Sequence, residues 1–262
     1  MSAGPLAGKR ILVTRPRGQA AGLAARIREA GGEPVLFPAI EITDLADLNP
    51  FLDIADRLEH FDLAIFISPT AVHRALALLR VRRQGLPWPA RLQVAAIGRG
   101  SRRELKLRGF PEVLAPPGGA ADSEALLALP GLADVAGKHF VIFRGQGGRE
   151  LLGDTLTTRG ARVEYAECYR RARPEPGVSA PEPAWAREAL DAVTVSSSEG
   201  LANLDAMLRE WRRGWLQESP LFVPHPRVAE EAARLGARET VVAGPGDREM
   251  VLGLLAYFHD AK

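Results

Sequence analysis

The chain has 262 residues, 46% hydrophobic and 25% charged, which is enough apolar material for one large or two modest α/β domains with solvated surfaces. Thirty-four basic residues against 32 acidic ones leave a formal net charge of +2, unlike the concentrated basic stripe of a DNA-binding protein. The single cysteine, Cys168, excludes an intrachain disulfide and a thiolate metal cage, and five histidines (His60, His73, His139, His225, His259) lack metal-ligand spacing. No apolar run approaches the roughly 20 residues of a membrane span, and Met1–Lys9 lacks the apolar core of a secretory signal, so a cytoplasmic protein without membrane contact is expected.

Along the chain, GKRILVTRPRGQAAGLAARIREAGGEPVLFP, from Gly8, predicts an apolar strand, a polar turn at Thr14-Arg15-Pro16, a helix stopped by Gly31 and a second strand. FDLAIFISPTAVHRAL predicts a strand that ends at Ser68-Pro69-Thr70 and a helix after it. Beyond a break at Trp88–Pro89, LQVAAIGRGSRRELKLRGFPEVLAP gives a strand, the turn Gly98-Arg99-Gly100-Ser101, a helix closed by Gly109 and another strand. Ala115–Ala121 is rich in proline, glycine and alanine and reads as a loop or connection.

The pattern then restarts. GKHFVIFRGQGGRELLGDTLTTRGARVEYAE, from Gly137, repeats the opening at an offset of 129 residues, so that Lys9 matches Lys138, Arg15 matches Arg144 and Gly31 matches Gly160. After a second loop stretch, Pro174–Pro183, LDAVTVSSSEGLANL repeats the second element at the same offset, Ser68 matching Ser197. PLFVPHPRVAEEAARLGARETVVAG, closed by Gly236, resembles the segment closed by Gly109. The layout is A–B–A′–B′. Alternating strands and helices imply an α/β fold of two internally duplicated, flavodoxin-like lobes with parallel sheets, and a working site in the cleft between them.

In such sheets ligands gather beyond the C-terminal strand ends, where helix N-termini present free N–H groups. Arg15, Ser68, Gly98, Ser101, Arg144, Gly145, Ser196 and Ser197 all fall there and suit an anionic ligand carrying several carboxylates or phosphates. The plainer reading makes Ser68, Ser101 and Ser197 helix caps and the arginines surface charges. No nucleophile elbow, HExxH, CxxC, dinucleotide fingerprint or P-loop is present, which disfavours a nucleotide-dependent enzyme. With no acid/base carboxylate pair at the strand ends, an enzyme of this kind works by shaping its substrate.

The segments ILVTRPRGQAAGLAARIREAGGEPVLFPAIEI, FDLAIFISPTAV, VAAIGRGSRRELKLRGF, FRGQGGRELLGDTLTTRGARVEYAECYRR and DAVTVSSSEGL together resemble the uroporphyrinogen-III synthase family, over about Gly8 to Tyr257. The resemblance implies a cofactor-free, metal-free lyase that closes hydroxymethylbilane, a linear tetrapyrrole with eight carboxylates, while inverting ring D and losing water. It implies catalysis by Tyr169, which helps the hydroxyl leave, with Tyr165 the lesser candidate. It also implies lobes that cross the repeats: residues 1–38 with 172–262 form one, 42–168 the other, and 36–42 with 166–173 form a two-stranded linker. A monomer is expected. The turn Pro224–Arg227 departs from the family's threonine-bearing one, with Pro226 or Arg227 in place of the hydroxyl. The competing reading is a non-catalytic ligand-binding or regulatory protein of the same bilobal fold.

Overall fold

In the computed structural model, which describes residues 4–117, 122–175, 189–209 and 214–260, the short apolar runs form strands and the amphipathic stretches form helices. In chain order these are β1 (Arg10–Val13), α1 (Arg17–Glu29), β2 (Glu33–Leu36), β3 (Glu41–Thr43), α2 (Asn49–Asp56), β4 (Leu63–Phe66), α3 (Pro69–Arg82), β5 (Gln93–Ala96), α4 (Arg99–Leu107) and α5 (Ser123–Leu127). There follow β6 (His139–Gly145), α6 (Leu151–Thr158), β7 (Arg162–Ala172), β8 (Ala192–Thr194), α7 (Ser198–Leu208), α8 (Trp215–Glu218), β9 (Leu221–Val223), α9 (Pro226–Arg234), β10 (Thr240–Val242) and α10 (Asp247–Asp260). Of the two stretches expected as loops, residues 118–121 and 176–183 lie outside those described.

The chain divides into two units, Met1–Ile42 with Ala172–Lys262 and Thr43–Arg171. In the first, strands run in the order β10-β9-β8-β1-β2 with every adjacent pair parallel. Read from β2 and renumbered within the unit, this is the flavodoxin-like order 2-1-3-4-5. In the second, the order is β3-β7-β6-β4-β5, with Leu114 bridging Ala95 in parallel beyond β5. From Leu114 to β7 the spatial arrangement matches that of the first unit, but the chain enters it at a different strand. Each sheet takes β-strands of the A type from one repeat and of the B type from the other.

The duplication extends to backbone detail. Ser68 (φ −159, ψ 159) and Ser197 (φ −163, ψ 160) each cap a helix, with Oγ accepting at 3.0 Å from the N–H groups of Ala71 and Gly200. Gly31 (φ 91) and Gly160 (φ 89) each turn the chain out of a helix in a left-handed conformation that a side chain would oppose. Behind them Gly32 N–H reaches Ile27 O at 2.9 Å, and Ala161 N–H reaches Leu156 O at 3.1 Å.

The inner strands of both sheets are covered on both faces, which is why residues 11–13, 63–66, 140–143 and 221–223 are apolar and buried. In the first unit Leu12 packs with Val193, Leu201, Leu204 and Val228, on the side of α7 and α9. Its neighbours Ile11 and Val13 point the other way, to Leu23, Ile27, Met250 and Leu254 of α1 and α10. In the second unit Leu63, Ile65, Phe140 and Ile142 pack against Leu126, Leu152 and Leu156. Phe66 and Phe143 stack at 4.8 Å between centroids, and Phe51 of α2 lies 6.1 Å from Phe143. Burying each such side chain contributes about 1.5–3 kcal/mol.

One ion-pair cluster ties α2 to β7. Arg57 grips Glu164 through two hydrogen bonds of 2.9 and 2.5 Å, and His139 Nε2 lies 2.7 Å from the same carboxylate. The Arg57 guanidinium holds the Glu164 carboxyl well below its ordinary value of 4.5, at about 2, against the opposing effect of burial. A carboxyl depressed on folding stabilises the native state above its unfolded pKa and loses that contribution as pH falls through the native one. Acid unfolding followed by circular dichroism is expected to show the wild-type chain losing part of its stability between pH 4.5 and about 2. Glu164→Gln is expected to be less stable at neutral pH and to lack that component, so that the two curves converge at low pH.

Candidate functional site

The C-terminal ends of β4, β6 and β7 build one constellation in the second unit. Through Arg144 the register of β6 on β7 is regular, with Arg144 opposite Glu167; then it shifts, and Gly145 faces Tyr169. Cys168 is the extra residue of a bulge. The bulge sends two consecutive side chains towards α3: Cys168 Sγ lies 3.2 Å from Arg144 O and 3.9 Å from Ala71 O, and the Tyr169 hydroxyl lies 3.2 Å from Ser68 Oγ. Since β6 separates β4 from β7, the tyrosine must cross β6 to reach Ser68. It crosses at Gly145, where an added Cβ would stand 2.7 Å from Cε2, 2.8 Å from Cζ and 3.1 Å from the hydroxyl of Tyr169. Glycine is required there by this close approach. The ring is 3% exposed, and Gln146 N–H donates to Tyr169 O at 2.7 Å, fixing the backbone on which it turns.

Arg144 is 3% exposed, and its guanidinium is held inside the protein. It lies 4.6 Å from the centroid of the Tyr165 ring, donates to Gly145 O at 3.3 Å and hydrogen-bonds Gly147 O. Glu167 accepts from Gly147 N–H at 2.8 Å on the other side of the turn. Arg144 therefore reaches a ligand only through the Gly145–Gly148 loop that it holds in shape. Tyr165 points its hydroxyl to Glu150 O at 3.4 Å, and burial raises its pKa. Burial likewise pushes the Cys168 thiol up to about 12, which leaves it un-ionised and poorly nucleophilic.

Along the same rim Gly98 caps α4 through its backbone alone, in an extended conformation. Gly100 sits against Pro69, where an added Cβ would come within 3.2 Å of Cγ, so the first turns of α3 and α4 abut. Ser101 was an N-cap candidate by sequence. It is instead the third residue of α4 and 2% exposed, because the helix starts one turn earlier, at Arg99.

In the first unit Arg15 follows β1 and pairs with Asp247 at the start of α10, a partly buried ion pair set against Gly22 of α1. Ser197 caps α7, and Ser196 precedes it, half-buried. At the departed turn His225 supplies the cap of α9, its Nδ1 accepting from Arg227 N–H at 3.2 Å. An imidazole nitrogen thus caps α9 where a serine hydroxyl caps α3 and α7, while Arg227 is exposed.

Sequence reasoning passed over several of these groups. Asp247 lies 232 residues from Arg15, and no local pattern announces the pair. Thr14 and Thr194 form a reciprocal brace between β1 and β8, Thr14 Oγ1 to Thr194 O at 2.8 Å and Thr194 Oγ1 to Leu12 O at 2.9 Å. For Thr194 the hydroxyl in the otherwise apolar β8 was the available signal, whereas Thr14 stood in the polar turn after β1. A cavity of about 440 Å³ lies elsewhere, among Asp205, Arg209, Trp215 and Leu235 where α7 and α9 end. Its carboxylate is taken up by Arg209 at 2.8 and 2.6 Å, and it is remote from the strand ends where ligands bind. Among the described residues no group of three or more His, Cys, Asp or Glu side chains is placed to hold a metal ion, and no helix is long and apolar enough to cross a membrane.

The family model described as uroporphyrinogen-III synthase HemD matches residues 21–250. The uroporphyrinogen-III synthase of Salmonella typhimurium is 36% identical over 247 residues, covering 94% of this chain and 99% of the relative. That of Escherichia coli is 36% identical over 246 residues, with the same coverage. Among solved structures, a mutant uroporphyrinogen III synthase from Thermus thermophilus aligns with a TM-score of 0.62 at 21% identity, over 97% of this chain and 100% of that one. The enzyme from Helicobacter pylori aligns at 0.59 and 14% identity, over 95% and 99%. The structural matches speak for the fold alone; the family model and two relatives matched nearly end to end show that this chain belongs to the uroporphyrinogen-III synthase family.

Proposed function

We propose that this chain is itself a uroporphyrinogen-III synthase, a hydro-lyase that converts hydroxymethylbilane to uroporphyrinogen III and water as a cytoplasmic monomer, without a cofactor. The observation that carries the reading is the Tyr169 ring laid across Gly145 to Ser68, at strand ends rich in N–H donors. The Tyr169 hydroxyl protonates or hydrogen-bonds the departing hydroxyl as its carbon–oxygen bond breaks. The electron pair leaves with the oxygen, which becomes water, and the azafulvene cation remains. Ring D attacks through its substituted carbon, and the resulting spiro intermediate fragments and recloses as the type III isomer, whose cation loses a ring-carbon proton that restores the one Tyr169 gave up. Unaided closure gives type I, so the protein's contribution is to hold the bilane in the productive shape and to stabilise the cation.

The caps at Ser68, Gly98 and Ser197, with the adjoining Ser196 and the Gly145 loop, offer backbone N–H groups to the substrate's carboxylates. Arg15 adds charge, in competition with Asp247. Arg144 acts by keeping the loop in place, while Ser101 is buried within α4 and supports that helix.

Chromatography of the product formed from freshly prepared bilane tests the assignment. The type III isomer is expected; type I alone would refute it and favour the non-catalytic binding protein. Tyr169→Phe keeps the ring that packs on Gly145 and removes only the hydroxyl, so turnover is expected to fall by about 10²–10⁴ while product affinity changes little. Unchanged turnover would end the catalytic role. Gly145→Ala is expected to displace the ring and lower turnover with the circular dichroism spectrum retained, and Arg15→Ala to weaken substrate binding most at low salt.

A further inference from the structure

Helix α4 breaks two local rules at once. Its first turn holds Arg99 and Arg102 and no acidic residue, so cations sit at the positive end of the helix dipole. Arg99 and Lys106 each lie three and four residues from the adjacent pair Arg102 and Arg103, spacings at which like charges on a helix repel. All four are exposed and line, with Leu107, a shallow groove of about 370 Å³. Among the described residues Arg102, Arg103 and Lys106 have no ion-pair partner. The helix's one carboxylate, Glu104, is taken up by Arg108 at 2.7 Å and His73 at 3.0 Å. Arg99–Arg108 carries five basic side chains against one acidic, more excess charge than the whole chain's +2. The overall balance had concealed this stripe.

A repulsive charge pattern whose Arg102, Arg103 and Lys106 find no ion-pair partner among the described residues marks a surface suited to something outside the protein. Its upper end is the Gly98 turn, beside Pro69 and one residue from Ser68. We propose that the α4 stripe is a capture surface that draws the polycarboxylate substrate to the strand ends of the second unit. The inference rests on the proposed function and adds to it the path of entry. A substrate that closes unaided to the wrong isomer must be captured faster than it cyclises, and a focused cationic surface raises encounter rates by about 10–10³.

The test compares wild type with Arg102→Gln/Arg103→Gln/Lys106→Gln and with a control of equal charge change, Arg26→Gln/Arg28→Gln/Arg80→Gln. The stripe variant is expected to lose about tenfold in kcat/KM at low salt. Its kcat should be unchanged, its salt dependence shallower, and its values should converge with wild type near 1 M salt, where the screening length is about 3 Å. Its melting temperature should match or exceed wild type, since repulsion is removed; a merely structural stripe would lower it. Titration with benzenehexacarboxylate is read separately and should show weaker binding for the stripe variant than for the control. If wild type makes no type III isomer while this difference in binding persists, the synthase assignment fails and the anion-capture surface stands. Equal salt slopes and equal probe binding in both variants would overturn the capture surface. So would selective loss of binding to a short DNA duplex with bilane kinetics intact, which would make the stripe a nucleic-acid contact.

Discussion

Strands buried on both faces leave a protein very few places for polar chemistry, and both units of this chain live under that constraint. β1 sends Leu12 to one helical layer and Ile11 and Val13 to the other, so only its first residue, Arg10, which is not fully buried, carries a charge. Polar groups that do enter the sheets are fully engaged. Thr14 and Thr194 brace each other's strands, and the Arg144 guanidinium is enclosed by its own loop and by Tyr165. Chemistry is displaced to the C-terminal strand ends, where helices begin and backbone N–H groups lack internal partners. Within that rim a single bulge and a single missing side chain determine where Tyr169 lies.

The parts legible in the sequence were those set by local physics. Apolar runs such as ILV and LAIF, the serine caps and the glycine stops depend on neighbours within a few residues, and their repetition at a fixed offset exposed the duplication. Tyr169 could be named from a resemblance, but not the bulge at Cys168 that turns it towards Ser68, because a register shift is settled by the partner strand. Arg144 was marked as a strand-end cation on the strength of its match to Arg15. The strand runs on to Gly145, so the matched positions differ in kind: one arginine pairs with an aspartate, and the other is buried within a loop. Ser101 illustrates a smaller limit, since the start of a helix shifts by a turn when a glycine upstream can open it. Net charge averaged away the α4 stripe for a similar reason, being blind to position.

Two copies of one pattern have also diverged in what they do with it. The cap at Ser68 doubles as the contact of a tyrosine hydroxyl, whereas Ser197 has Ile40 beside its helix and no tyrosine partner among the described residues. Strand β7, at eleven residues, outruns its counterpart β2, at four, and only the longer one has room for the bulge. Duplication supplied the scaffold twice, and length and register then made one copy chemically distinct.

The permuted order of the strands has a consequence for how the molecule is made. Thr43–Arg171 is one continuous stretch, so its sheet can close as soon as it leaves the ribosome. β1 and β2 emerge earlier yet must wait, because β1 pairs with β8 in the register Leu12 to Val193 and has a strand on only one side until β8 is made. The loop entropy of that distant pairing is reduced once the intervening segment is folded, since its ends are then already held close. The first unit to begin synthesis is thereby the last to be finished, and its apolar first strand is exposed for most of translation.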